Sequence, residues 1–170
     1  MERDIQKDLA EMLGDVQMVL SQTKWDQPQQ MNMVQSVLPQ LQALAKTLQE
    51  DADRKTVIYF LPYKSSMWDS LESVYLAAQD DPNCDAYVMP IPYYDRNPDG
   101  SLGNMHYEGD RFPADIPITD YRQVDLQAVQ PDIIYIHNPY DYANYVTTID
   151  PAYYSDKLKS YCKLLVYIPY

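Results

Sequence analysis

His137 is the residue of this chain best suited to proton transfer. It follows the apolar run Ile133-Ile134-Tyr135-Ile136 and precedes Asn138-Pro139-Tyr140-Asp141-Tyr142, where a buried strand would end and a ligand loop begin. An imidazole there can take a proton from an attacking hydroxyl, with Asp141 or another carboxylate to orient it. A histidine hydrogen-bonded into its own loop is the plainer alternative. A second constellation, Pro62-Tyr63-Lys64-Ser65-Ser66, closes another apolar run. Ser66 and Asp69 have the form of a capping box with Asp in place of Glu, which predicts a helix starting near Met67. Its free N–H groups, the Ser65 and Ser66 hydroxyls and the Lys64 ammonium suit a phosphate or a carboxylate; simple capping accounts for them as well. The chain has four glycines and neither G-x-G-x-x-G nor a P-loop, so nucleotide cradles of those two kinds are absent.

Between these motifs, residues 93–124 form a long connection with a turn at Asn97-Pro98-Asp99-Gly100. Asp95, Asn97, Asp99 and Gly100 imitate the opening of a calcium loop, but Pro98 intrudes and His106 stands where a bidentate Glu is needed. The better reading is a polar flap of Tyr94, Asp95, Arg96, His106, Tyr107 and Glu108 folded over the strand ends, with surface decoration as its rival. Two histidines and two cysteines without ligand spacing call for no metal, and nothing calls for a cofactor.

The elements that must position these groups follow from periodicity. Val57-Ile58-Tyr59-Phe60-Leu61 and Ile133-Ile134-Tyr135-Ile136 are apolar throughout, as expected of strands covered on both faces of a parallel sheet, and Ala86-Tyr87-Val88-Met89 and Leu164-Leu165-Val166-Tyr167-Ile168 complete four strand candidates. Trp68, Leu71, Tyr75 and Ala78 recur at helical spacing after the first strand. The strand, helix, strand order is half of a doubly wound architecture. Four of these runs lead to Pro-Tyr: Pro62-Tyr63, Pro92-Tyr93, Pro139-Tyr140 and Pro169-Tyr170. Proline cannot donate to a ladder, so it stops pairing and delivers a tyrosine just beyond the carboxyl edge, either to end the strand or to line a pocket.

Ahead of this sheet, Ile5, Leu9, Met12, Val16 and Val19 make one helical stripe, and Val34, Val37, Leu38, Leu41, Leu44, Ala45 and Leu48 make a second. Between them Asp26 can cap the second helix and Pro28 suits its first turn; Pro39 should bend it. The expected organisation is an N-terminal αα-hairpin over 1–53 and a Rossmann-like α/β lobe over 54–170, with the hairpin packing on the lobe or forming a homodimer. The formal charge of −12, from 25 acidic and 13 basic side chains, repels a phosphate backbone, so no nucleic-acid partner is expected. No 18-residue apolar stretch and no signal-peptide core occur in the sequence, and the chain reads as cytoplasmic with buried, unpaired Cys84 and Cys162.

The run Val57-Ile58-Tyr59-Phe60-Leu61-Pro62-Tyr63-Lys64-Ser65-Ser66-Met67-Trp68-Asp69-Ser70-Leu71-Glu72-Ser73-Val74-Tyr75 resembles the first strand and helix of the CDP-glycerol glycerophosphotransferases, the teichoic-acid polymerase family. The order of elements over 55–170 is similar to the N-terminal, acceptor-side lobe of that family's two-lobed glycosyltransferase fold. The resemblance implies transfer of glycerol phosphate from CDP-glycerol to a cell-surface polymer acceptor. It also implies a second, nucleotide-binding lobe after Tyr170, and work at the inner face of the plasma membrane with peripheral membrane contact. Where the family has a Trp-His-Gly-type segment supplying its base, Pro169-Tyr170 stand here, and without the second lobe to hold the donor the lobe alone is expected to be inactive. The acceptor, a phosphate-bearing polyol or polymer, is expected at Tyr63, Lys64, Ser65, Ser66, Tyr93, Tyr94, Asp95, Arg96, Asn138 and Tyr140, with His137 as the catalytic candidate. A non-catalytic sugar- or polyol-binding or dimerisation module sharing the fold is the alternative.

Overall fold

The computed structural model describes residues 11, 13–18, 21, 35–36, 38–47, 54–139, 141 and 143–170. The chain divides into two compact units, Met1–Arg54 and Lys55–Tyr170. In the first, 13–18 and 38–47 are helical, Pro39 included, and Val16, Met18 and Leu44 are exposed. Ile5, Leu9, Met12, Val19, Val34, Val37, Leu48, Asp26 and Pro28 lie outside the described residues.

The second unit is a Rossmann-like α/β fold. Strands β1 (Thr56–Leu61), β2 (Cys84–Val88), β5 (Ile133–Ile136) and β7 (Leu164–Tyr167) form one parallel sheet in the order β2-β1-β5-β7. Helix α1 (Asp69–Asp80) carries the chain from β1 to β2. The short helices α2 (Leu126–Val129) and α3 (Ser155–Tyr161) lie on the routes to β5 and β7. The alternation of a strand sends odd and even residues to opposite faces, and both faces are covered. Ile58 and Phe60 pack with Trp68, Leu71, Tyr75 and Val88 on the α1 side. Tyr59 and Leu61 pack with Leu126, Ile134, Ile136 and Leu158 on the other. This two-sided burial is why the central strands β1 and β5 carry no polar alternation, while the edge strands expose Tyr87, Leu164 and Tyr167.

The connection 93–124 differs from the expected polar loop. Strands β3 (Tyr93–Arg96) and β4 (Leu102–His106) form an antiparallel hairpin, and β6 (Thr147–Ile149) joins them in the order β4-β3-β6. The turn at Asn97–Gly100 is present: Gly100 donates its N–H to the Asn97 carbonyl at 2.8 Å and sits at φ 83°, a left-handed conformation that favours glycine. The hairpin escaped the sequence reading because its strands are half polar, and a register shift between Tyr94 and Arg96 breaks their alternation.

Candidate functional site

The first crossover runs from β1 to β2, and the chain then returns to the other side of β1 to build β5 and β7. The carboxyl ends of β1 and β5 therefore flank the topological switch point, where an open α/β sheet leaves a crevice. Two loops meet there, one led by Tyr63-Lys64-Ser65-Ser66 and one by His137-Asn138.

His137 is 1% exposed. Its Nδ1 lies 3.2 Å from Ser70 Oγ, and Ser70 Oγ is 3.0 Å from the Met67 carbonyl, so the first turn of α1 fixes the ring. One hydroxyl hydrogen can serve only one of these acceptors. When it goes to Met67, Nδ1 carries the imidazole proton and Nε2 presents a bare lone pair. Nε2 is buried without a hydrogen-bond partner. Burial pushes the imidazole down to about 4, only partly offset by the Ile168 backbone, so the ring is neutral at pH 7. Asp141 does not orient it. Its Oδ2 accepts the Ser155 N–H at 2.7 Å and the Ser155 hydroxyl at 2.6 Å, which holds the start of α3 instead.

Around this imidazole the structure gathers tyrosines. Tyr170 packs edge-to-face on the His137 ring with centroids 6.2 Å apart. The Tyr63 and Tyr93 rings meet at 5.5 Å, and Lys64 Nζ lies 5.0 Å from the Tyr93 ring centroid and 5.7 Å from that of Tyr63, a cation–π arrangement. Burial first, then the neighbouring Tyr170 hydroxyl, raises the Tyr63 phenol far above its usual range. Burial, together with a hydrogen bond to Glu108, pushes Tyr93 up to about 12. Tyr93 opens β3 rather than ending β2, and Tyr140 lies outside the described residues.

The expected capping box is not formed. A 3-10 turn at Ser65–Met67 leads into α1, whose N-cap is Trp68 with no side-chain cap bond. Nor are the Ser65 donors open, because Glu108 Oε2 accepts both the Ser65 N–H at 2.9 Å and the Ser65 hydroxyl at 3.0 Å. Ser66 belongs to the same turn. The remaining flap residues are spent within the antiparallel sheet or beside it. The Tyr94 hydroxyl donates to Asp150 Oδ2 at 3.3 Å, and His106 Nε2 lies 2.9 Å from Asp95 Oδ2. Arg96 donates to the Gly100 carbonyl at 2.9 Å and, at 3.4 Å, to the Asp141 carbonyl and the Tyr154 hydroxyl. Asp99 accepts from the Ser101 N–H and hydroxyl within the hairpin turn. Asn138 is buried at the β5 end. An open pocket of about 240 Å³, lined by Val124, Leu126, Tyr153 and Tyr161 among others, shares no residue with the switch-point group.

Sequence reasoning missed Ser70, and it placed Glu108 in the flap over the strand ends without its bond to Ser65. Ser70 lies 67 residues from His137 and Glu108 lies 43 from Ser65, separations over which no local pattern carries a signal. No protein-family model, no curated protein and no solved structure matches this chain. No helix among the described residues is long and apolar enough to cross a membrane.

Proposed function

We propose that residues 55–170 form the acceptor-side lobe of a glycerophosphotransferase-like protein, binding a phosphate-bearing polyol at the carboxyl ends of β1 and β5. One observation carries the reading: a buried, neutral imidazole at the switch point, its Nδ1 tied to Ser70 and its Nε2 without a partner. In the tautomer protonated at Nδ1, Nε2 can take the proton of an acceptor hydroxyl that enters this buried site, as that oxygen attacks the glycerol-bearing phosphorus of CDP-glycerol and CMP leaves. Lys64 offers the nearby positive charge, and the rings of Tyr63 and Tyr93 offer faces on which a polyol chain can lie. The donor is held by a second lobe, because transfer needs both substrates within near-attack distance. This reading puts the whole protein in the cytoplasm at the inner face of the plasma membrane, with self-association through the N-terminal helices.

The test is a ¹⁵N–¹H NMR titration of the chain with glycerol 3-phosphate, a short polyglycerol phosphate and CDP-glycerol. Shifts clustered at 63–66 and 137–138 with the polymer support the acceptor lobe, and an unmoved spectrum with all three removes it. A second reading, a non-catalytic polyol-binding module, is favoured by the loss of the Ser65 donors to Glu108. Under that reading neutral polyols shift the same residues, and the whole protein transfers no glycerol phosphate.

A further inference from the structure

An anion already sits against Ser65, and it belongs to the chain. Glu108 Oε2 takes the Ser65 N–H and hydroxyl, and Oε1 accepts the Tyr93 hydroxyl at 2.9 Å. Arg111 Nη1 stands 3.9 Å from Oε1, while the Glu108 side chain is only 13% exposed. Burial raises the carboxyl, but the Ser65 and Tyr93 bonds together with Arg111 outweigh it and hold Glu108 below its usual range. Charge-assisted bonds from neutral donors to an oxyanion are what a phosphate monoester would also seek.

We propose that Glu108 is an internal competitor for phosphate at the Ser65–Tyr93 donor set, and so a residue that fixes which part of a ligand enters the β1 end of the crevice. The identity of the ligand rests on the reading under Proposed function; the competition rests on the donor set alone. Two oxyanions cannot share these donors, because like charges at hydrogen-bond range repel strongly in a partly buried site. Phosphate therefore enters only when the Glu108 side chain withdraws, which breaks its bonds to Ser65 and Tyr93. A polyol hydroxyl meets no such barrier, since it can donate to the carboxylate. In the native chain the β1 end thus accepts hydroxyls and excludes phosphate.

Inorganic phosphate is the probe, titrated into the ¹⁵N-labelled 170-residue chain as wild type, Glu108→Ala and Glu108→Gln. The expected result is a Ser65 amide that phosphate moves in Glu108→Ala, with apparent affinity about tenfold above wild type. Glu108→Gln, which keeps an acceptor but removes the charge, should gain less. Adding Ser65→Ala to Glu108→Ala should weaken that binding again. Wild-type response in Glu108→Gln, with Glu108→Ala either equally unresponsive or unfolded, overturns the inference. Failure of the functional reading looks different: wild type ignores every polyol ligand, glycerol 3-phosphate included, while phosphate still reaches Ser65 in Glu108→Ala.

Discussion

Lowering the pH from 7 towards 4 should destabilise this protein through one buried side chain. His137 falls from 6.5 to about 4 because it is buried. The unfolded chain therefore binds a proton between those values that the folded chain refuses. Stability is full above pH 6.5 and is lost as pH falls through the window, by about 3 kcal/mol in total. Most of that loss has occurred by pH 4.5. Glu108, Asp99 and Asp120 are held below ordinary values of 4.5 and 3.8, so what they contribute begins to be lost only as pH falls to those values, at the acid end of the window. The assay is urea unfolding at a series of pH values, for wild type and for His137→Gln, which cannot titrate. For wild type the midpoint should drop by on the order of 1 M between pH 7 and 4.5, and for His137→Gln it should stay nearly level. A folded-state His137 titration near 6.5 by NMR, or equal pH slopes in the two proteins, refutes the reasoning.

The same geometry makes two further predictions. Ser70→Ala strips the imidazole of its bond at Nδ1 while the ring stays buried, and should cost about 1–3 kcal/mol in denaturant unfolding and redistribute the imidazole tautomers seen in ¹⁵N spectra; a wild-type midpoint contradicts it. At the alkaline end, Tyr93 and Tyr153 are pushed up to about 12 by burial first of all. The stability they contribute is therefore complete below pH 10 and lost as pH rises towards 12; phenolate absorbance should show a late, cooperative rise coinciding with unfolding, and a smooth titration of every tyrosine near 10 would count against it.

What could be read from the residues was whatever both faces of the sheet dictate locally. Ile58, Phe60, Ile134 and Ile136 are buried, and their runs are apolar because nothing wet adjoins them; Leu71 and Tyr75 mark the inner face of α1 in the same way. The half-exposed hairpin was harder. Tyr93-Tyr94-Asp95-Arg96 looks like a polar loop, and Thr147–Ile149 is three residues long. For the site, the placement of His137 and Lys64 after strands was legible, since strand ends follow from strand runs. Their partners were not. Ser70 meets His137, and Glu108 meets Ser65, only because β5 lies beside β1 and the β3–β4 hairpin returns to the end of β1.

That return has a cause in the chain between the two sheets. After β2, Met89 still donates to the Phe60 carbonyl at 2.9 Å and Ile91 to the Pro62 carbonyl at 3.0 Å, so pairing with β1 continues past the end of the strand. Pro90 and Pro92 have no N–H to extend the ladder, and Pro92 offers its carbonyl to the Asp150 N–H at 2.9 Å instead. Tyr93 is thus where the parallel sheet hands over to the antiparallel one, with no helix between. A helix after β2 would have carried the chain back along the sheet face. The hairpin keeps it at the carboxyl edge, where Tyr93 reaches Tyr63 and the segment after β4 brings Glu108 to Ser65. With the β1 loop filled by its own carboxylate, the unpartnered chemistry of the switch point is left at the β5 end, on Nε2 of His137.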